Sequence, residues 1–122
     1  MVARAETVEA ARIAASAIVD KKGSDLVALD LSELLVITDV FLLGTGNTAR
    51  QVRALTESVE EFLREKGERR PLRREGTEDM RWVVLDYGDL VVHLFEQETR
   101  AYYDLERLWA DAPRIAMESV TP

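Results

Sequence analysis

Apolar side chains recur every three or four positions in three stretches of the chain, the spacing that places them on one face of an α-helix. The predicted helices cover residues 7–22, 48–67 and 99–109. The second has the clearest beginning, because Thr48 and Gln51 match the capping box, in which two side chains bond to backbone donors of the first turn. Gly67 closes it, as glycine commonly does at the end of a helix.

Short runs of apolar, β-branched and aromatic residues predict the strands of a buried sheet, at residues 26–31, 40–44, 82–86 and 89–95. The last two runs flank Tyr87-Gly88, so we expect them to form a hairpin with a tight turn. Residues 68–74 contain Pro71, which cannot donate a hydrogen bond to a neighbouring strand. Any strand there must lie at the edge of the sheet.

The predicted order of elements is α-β-β-α-β-β-β-α, which indicates an α/β (α+β) fold. We expect a mixed β-sheet of about five strands flanked by helices, with the second helix crossing between strands. A chain of 122 residues fits a single domain. We assign that domain to residues 1–113 and expect residues 114–122, which follow Pro113, to form a loose C-terminal tail.

The net charge of −7 gives the molecule an acidic surface that repels phosphate groups. This charge disfavours nucleic-acid binding through a broad basic face and favours a basic protein partner. A basic strip interrupts the pattern and consists of Arg64, Lys66, Arg69, Arg70, Arg73 and Arg74. The strip could be solvated, protect a sheet edge from aggregation or touch RNA, and the sequence leaves these interpretations open.

Cysteine is absent, which excludes disulfide bonds, thiolate metal ligands and a cysteine nucleophile. No stretch approaches the roughly 20 apolar residues that a membrane helix requires. Residues 1–17 lack the apolar core of a signal peptide. We therefore expect a cytoplasmic protein that does not span a membrane.

Two features could serve an enzyme that acts on nucleotides. The loop Gly44–Thr48 leads from a strand into a helix N-terminus, where anions bind, but it lacks the further glycine and the Lys-Ser/Thr pair of phosphate loops. Asp86 and Asp89 could hold Mg²⁺, although acids are also ordinary turn residues. His93 is the single histidine, too few for a His-based metal site. We expect no metal or cofactor and keep a small nucleotidyltransferase-like enzyme as an alternative.

Large aromatic side chains are concentrated in the last third of the chain, at Trp82, Tyr87, Tyr102, Tyr103 and Trp109. Successive residues of a strand face opposite sides, so Trp82 and Tyr87 would lie on opposite faces of the sheet. Successive residues of a helix point about 100° apart, as Tyr102 and Tyr103 would. At least one ring of each pair can therefore face outward. An outward ring beside Asp86 and Asp89 would form an acidic, partly apolar patch that suits a basic partner. The same patch could instead pair two copies of the chain in a homodimer.

Five motifs stand in a fixed order along the chain: Ile37-Thr38-Asp39, residues 45–52 (TGNTARQV), Glu75-Gly76, residues 82–93 (WVVLDYGDLVVH) and residues 100–109 (RAYYDLERLW). Each is weak alone, but their order and spacing together are specific. On these motifs the sequence resembles the ribosomal silencing factor family, also called RsfS or Iojap, over nearly its whole length.

The resemblance implies a nucleotidyltransferase-like fold without catalytic equipment, and therefore a protein that is not an enzyme. It implies binding to the large ribosomal subunit through ribosomal protein L-fourteen, which sterically blocks joining of the small subunit when nutrients are scarce. The positions that match the family's binding surface are Trp82, Asp86, Tyr87, Asp89, His93 and Tyr103. By this resemblance the aromatic residues would be apolar anchors and the two aspartates would pair with lysine or arginine of the partner. His93 would be a hydrogen-bonding side chain, within the strand or at the interface.

Overall fold

A mixed β-sheet organises the protein, whose computed structural model describes residues 3–117. Its strands are β1 (Ser24–Asp30), β2 (Val40–Gly46), β3 (Arg73–Glu75), β4 (Trp82–Asp86), β5 (Leu90–Glu96) and β6 (Arg114–Ile115). They lie in the order β3-β4-β5-β2-β1-β6, and within the described residues β2 and β5 run parallel while the other neighbours run antiparallel. The predicted fold class, a mixed sheet flanked by helices, is confirmed, with six strands in place of about five.

Two long helices, α1 (Ala5–Asp20) and α2 (Ala49–Lys66), cover one face of the sheet. The predicted cap of α2 is confirmed, because Thr48 Oγ1 accepts a hydrogen bond from the Gln51 backbone N–H at 3.1 Å. The main core between these helices and the sheet includes Ile18, Leu42, Leu55, Val59, Val92 and Leu94. Burying each such side chain contributes about 2 kcal/mol to folding. Among residues 3–117, no helix has the length and apolar character needed to cross a membrane.

The opposite face carries two short helices, α3 (Gln97–Tyr103) and α4 (Leu105–Leu108). The sequence predicts one helix over residues 99–109, and this prediction is wrong at Asp104. Asp104 adopts a left-handed backbone conformation, with φ 47° and ψ 56°, which ends α3 and redirects the chain. The new direction allows Leu105 and Trp109 to join Phe95 in a second, smaller core cluster.

The C-terminal segment also differs from the prediction. Arg114 and Ile115 form β6 beside β1, so the expected loose tail does not begin at residue 114. The Asp30 N–H donates a hydrogen bond to the Pro113 carbonyl at 2.8 Å. Pairing here satisfies backbone groups along part of the β1 edge, a tertiary requirement that the local sequence pattern does not reveal. The remainder of the predicted tail at residues 118–122 lies outside the described residues.

The β4–β5 hairpin spans the sheet and carries most of the predicted site residues. Its turn, residues 87–89, lies beside the loop that precedes β2 and the first turn of α1, and we call this the turn end. At the opposite end, Trp82 begins β4 next to Phe95, and α3 follows β5 directly. We call this the pocket end.

Candidate interaction site

At the turn end, the carboxylate of Asp89 is bonded within the chain itself. Arg69 binds it with two parallel contacts, Nη1 to Oδ1 at 2.6 Å and Nη2 to Oδ2 at 2.9 Å, and the Thr7 hydroxyl donates to Oδ2 at 2.5 Å. Burial alone would raise the pKa of Asp89, but the hydrogen bonds from Arg69 and Thr7 lower it to about 2. Asp89 therefore ties α1, the segment before β3 and the hairpin turn together, which argues against its predicted role as an outward ion-pair partner.

Two of the sequence motifs, at residues 37–39 and 82–93, meet at this turn. The backbone N–H groups of Asp39 and Val40 both donate to the Asp89 carbonyl, at 2.8 and 3.1 Å, and the Thr38 hydroxyl donates to the Gly88 carbonyl at 3.2 Å. Gly88 has φ +91°, a conformation that glycine adopts without strain. Their mutual hydrogen bonds give both motifs a structural role.

Asp86 is the more accessible of the two aspartates, but it too has partners in the chain. Its Oδ1 accepts a hydrogen bond from the Gly88 N–H at 2.8 Å, which fixes the turn. Its Oδ2 accepts from Arg73 Nη2 at 3.1 Å, across the β3–β4 pair. A competing cation from a partner protein would have to displace the exposed Arg73 side chain.

Tyr87 lies in the main core, with 7% of its surface exposed. Its hydroxyl has no hydrogen-bond partner among residues 3–117, and burial raises its pKa. The interpretation of Tyr87 as an outward apolar anchor is therefore corrected, because the turn directs the ring inward among core side chains.

His93 is buried as well, with 6% exposed, which argues against direct contact with a partner, whereas its expected role as a hydrogen-bonding side chain of the strand agrees with the structure. Its Nδ1 accepts a hydrogen bond from the Trp82 indole N–H at 3.1 Å. Its ring lies 4.6 Å from that of Phe41, measured between centroids. Burial lowers the pKa of His93 to about 4, so the ring is neutral near pH 7.

The pocket end brings together the remaining two predicted residues, Trp82 and Tyr103. Their ring centroids are 4.8 Å apart and inclined by 46°. Tyr102 meets Tyr103 edge to face at 5.1 Å. Tyr103 is 54% exposed and Tyr102 83%, so these rings are open to a partner. They line an open cavity of about 500 Å³ with Trp82, Asp79, Arg81, Glu96, Glu98 and Thr99.

The charge of this cavity is predominantly negative, because three carboxylates accompany one guanidinium. Asp79 precedes β4, Glu96 ends β5 and Glu98 lies in the first turn of α3, where the helix dipole favours acids. A cationic side chain entering the cavity would meet carboxylates and aromatic faces together, the two kinds of group that attract ammonium and guanidinium ions. The binding residues predicted from the sequence do not include these acids or Tyr102, although Tyr102 stands among the aromatic residues of the last third of the chain. The acids belong to an acidic run that follows the basic strip in the sequence, and this run was the available signal.

Two features of the chain hold the cavity walls in place. Arg100 is buried and donates to Thr45 Oγ1 at 2.6 Å, to Glu106 Oε1 at 3.0 Å and to the Asp25 carbonyl, which anchors α3 on the sheet. Gly76 has φ +77°, and a Cβ there would come within 1.9 Å of the Trp82 carbonyl oxygen. A glycine is therefore required where the chain passes the start of β4. Gly76 belongs to the motif Glu75-Gly76 and Arg100 to the motif at residues 100–109, so both motifs have a structural role.

The features that suggested an enzyme are occupied by the chain. The Asn47 N–H donates to Gln51 Oε1 at 2.7 Å, and Gln51 Nε2 donates to the carbonyls of Lys21 and Lys22 at 3.1 and 3.0 Å. The Gln51 side chain, from the first turn of α2, thus fills the place beside the loop where a phosphate would bind. Within residues 3–117, no group of three or more His, Asp or Glu side chains is placed to hold a metal ion.

The basic strip is largely paired with acids of the same molecule. The ion pairs are Arg69 with Asp89, Arg73 with Asp86, Arg74 with Glu60 and Arg64 with Glu65. These contacts reduce the positive field of the strip and connect the edge strand β3 to its neighbours. They favour the edge-protecting interpretation over RNA contact.

Comparison with known proteins identifies relatives over almost the full length. The family model described as ribosomal silencing factor during starvation matches residues 4–122. The protein named ribosomal silencing factor RsfS from Halalkalibacterium halodurans is 42% identical, covering 92% of this chain and 95% of its own. The Bacillus subtilis protein of the same name is 41% identical, covering 84% and 86%. A crystal structure of a Chromobacterium violaceum protein superposes with a TM-score of 0.81 at 39% identity, covering 85% of this chain and 86% of its own.

Proposed function

Because this chain belongs to the ribosomal silencing factor family, we propose that it binds the large ribosomal subunit and prevents the small subunit from joining it. The proposed partner on the ribosome is the basic ribosomal protein L-fourteen. The action is occlusion, since a bound domain of this size would occupy the space into which the small subunit must move. No chemical step is needed, and the place of action is the cytoplasm, where the subunits meet.

The observation that carries this proposal is the open acidic cavity between Trp82 and Tyr103 at the pocket end. Exposed aromatic rings with polar groups are the residues that most often dominate binding energy at protein interfaces. We propose that Tyr103, Tyr102 and the exposed edge of Trp82 form the apolar centre of the contact, and that Asp79, Glu96 and Glu98 receive a lysine or arginine of the partner. Asp86 lies beside the turn end, so it would contribute only where a basic residue of the partner displaces Arg73. Tyr87, Asp89 and His93 would act from beneath the surface.

The first test is a subunit-joining assay. Purified small and large ribosomal subunits are mixed with wild-type protein or with a variant that carries Tyr103→Ala and Glu98→Lys, and joined particles are measured by sedimentation. We expect joined particles to decrease with wild type and to return with the variant. Glu61→Lys provides a matched control, because it makes the same charge change on the exposed surface of α2, on the other face of the sheet. Unhindered joining in the presence of wild-type protein would contradict the proposal.

A second measurement tests binding to the proposed partner separately from the effect on subunit joining. Binding of the wild-type chain to isolated ribosomal protein L-fourteen is measured by calorimetry, beside the same two variants. Binding that the pocket variant loses and Glu61→Lys retains supports the proposed partner. Joining that is blocked without any L-fourteen binding would place the contact elsewhere on the large subunit. Self-association through the same rings would appear as a dimer that the Tyr103→Ala, Glu98→Lys variant dissociates.

A further inference from the structure

The one histidine of the chain lies beneath the cavity and does not reach its surface. Trp82 pairs with Phe95 across the β4–β5 ladder, and Val84 pairs with His93, so Trp82 and His93 are diagonal neighbours. Diagonal positions lie within reach of long aromatic side chains. The two rings are 6.1 Å apart between centroids, and the indole N–H meets Nδ1 at 3.1 Å.

The surroundings of His93 leave it one polar contact. Besides Trp82, its ring neighbours are Phe41 and Phe95, at 4.6 and 6.1 Å between centroids. Its Nε2 is buried without a hydrogen-bond partner among residues 3–117. A polar ring in apolar surroundings is unfavourable unless it makes hydrogen bonds, so the bond to Trp82 is the interaction that distinguishes histidine from phenylalanine at this position.

The indole N–H fixes the chemical form of the histidine. Indole nitrogen only donates, so Nδ1 must present its lone pair, and the proton of the neutral ring must be on Nε2. In return, the acceptor satisfies the hydrogen bond of a partly buried indole N–H. Trp82 is then held by three groups at once, with Phe95 stacked at 5.1 Å and Tyr103 at 4.8 Å between ring centroids.

We propose that His93 is a positioning residue for the binding site: it accepts the Trp82 indole N–H and so holds that ring as a wall of the acidic cavity. This inference rests on the proposed function of the cavity and deepens it. His93 would never touch the partner. Its substitution would weaken binding by releasing the Trp82 ring.

The test compares His93→Phe, which keeps a ring of similar size without an acceptor, with His93→Asn, whose Oδ1 is attached at the same carbon as Nδ1. Both are made in a Trp109→Phe background, so that Trp82 is the only tryptophan. Exchange of the indole N–H is followed by NMR, and binding to the large ribosomal subunit is measured in parallel. We expect His93→Phe to increase exchange about tenfold and to weaken binding by a similar factor, and His93→Asn to restore both toward wild type.

Exchange of the indole N–H is measured without the partner, so the positioning role of His93 and the proposed function can fail separately. Faster indole exchange in a chain whose wild type does not bind the large subunit would support the positioning role and contradict the proposed function. Unchanged exchange and unchanged binding in His93→Phe would overturn the positioning role. If His93→Phe does not fold, the nitrogen resonances of His93 in the wild-type chain decide: a proton on Nε2 with Nδ1 unprotonated supports the proposal, and the opposite tautomer overturns it.

Discussion

The two ends of the β4–β5 hairpin carry the same kinds of residue and use them in opposite ways. At the turn end, the carboxylates of Asp86 and Asp89 are bonded to arginines of the chain, and Tyr87 is buried. At the pocket end, three carboxylates line a cavity with one arginine, and two tyrosines are exposed. The first arrangement stabilises the fold, and the second is open to a partner.

An acid beside an aromatic residue does not by itself mark an interaction surface. A carboxylate is available to a partner only where no cationic side chain of the same molecule pairs with it. Arg69 and Arg73 reach the turn end because the segment before β3 and β3 itself lie beside β4. Among the described residues, Arg81 is the only cationic side chain that lines the cavity of the pocket end. Substitutions at the two ends should therefore separate stability from binding.

The largest expected effect is the loss of stability in Asp89→Asn. The substitution leaves the Arg69 guanidinium partly buried without a counterion, and removing one partner of a buried ion pair costs about 3 to 4 kcal/mol. Urea unfolding should show a lower midpoint with an unchanged slope. Glu98→Gln at the pocket end is the control and should lower stability by less than about 1 kcal/mol, through its weakened interaction with the α3 dipole. A fully stable Asp89→Asn chain that has lost ribosome binding would reverse the roles assigned to the two ends.

The next effect is a loss of stability in mild acid that originates at the pocket end. The folded pKa of His93 is about 4, below the unfolded value of 6.5, so the unfolded chain binds the proton more readily. His93 should therefore make stability fall by up to about 3 kcal/mol as the pH decreases from 6.5 to 4. Asp89 acts in a lower window, since its stabilisation is present above 3.8 and is lost as the pH falls through about 2.

The two windows can be separated by thermal unfolding at a series of pH values. His93→Asn should flatten the slope between pH 6.5 and 4 and leave the lower window unchanged. Asp89→Asn should do the reverse. A slope between pH 6.5 and 4 that persists in His93→Asn would mean that another group carries it.

The sequence predicted the fold well where local signals are strong. The capping box at Thr48 and the Gly-containing hairpin turn determine backbone geometry within a few residues, so the limits of α2, β4 and β5 follow from them. The break at Asp104 and the pairing of Arg114 with β1 could not be predicted in this way. Both depend on contacts with strands that are distant in the sequence.

The candidate site was predicted less well, for a physical reason. Trp82 and Tyr103 meet at the surface as expected of anchors, whereas Tyr87, Asp89 and His93 are held inside the molecule. A motif matched between relatives can mark a contact with a partner or a contact within the chain. Only the positions of Arg69, Thr7 and Trp82 distinguish these cases, and they depend on the fold.

A third prediction concerns the exposed anchor at the pocket end. Tyr103→Ala should weaken binding to the large subunit by about 2 kcal/mol, roughly 30-fold, because it removes a large ring from the proposed centre of the contact. Its effect on stability should stay within about 1 kcal/mol, since over half of the ring is solvent-exposed. Leu108→Ala truncates an apolar residue of α4 that is even more exposed, at 74% against 54% for Tyr103, and should leave binding unchanged. Equal losses in the two variants would show that exposed apolar area in general drives binding.

The smallest expected effect comes from a single carboxylate of the cavity. Glu98→Gln removes one exposed negative charge and should weaken binding by about 0.5 kcal/mol, chiefly through slower association. The loss should be present at low salt and vanish at about 0.5 M salt, where charges separated by more than a few ångströms are screened. Glu61→Gln on α2 makes the same change in net charge away from the cavity, so it reports the contribution of the overall charge. If both variants slow association equally, the acidic cavity adds nothing beyond the net charge of −7, and the contrast between the two ends then rests on the aromatic rings alone.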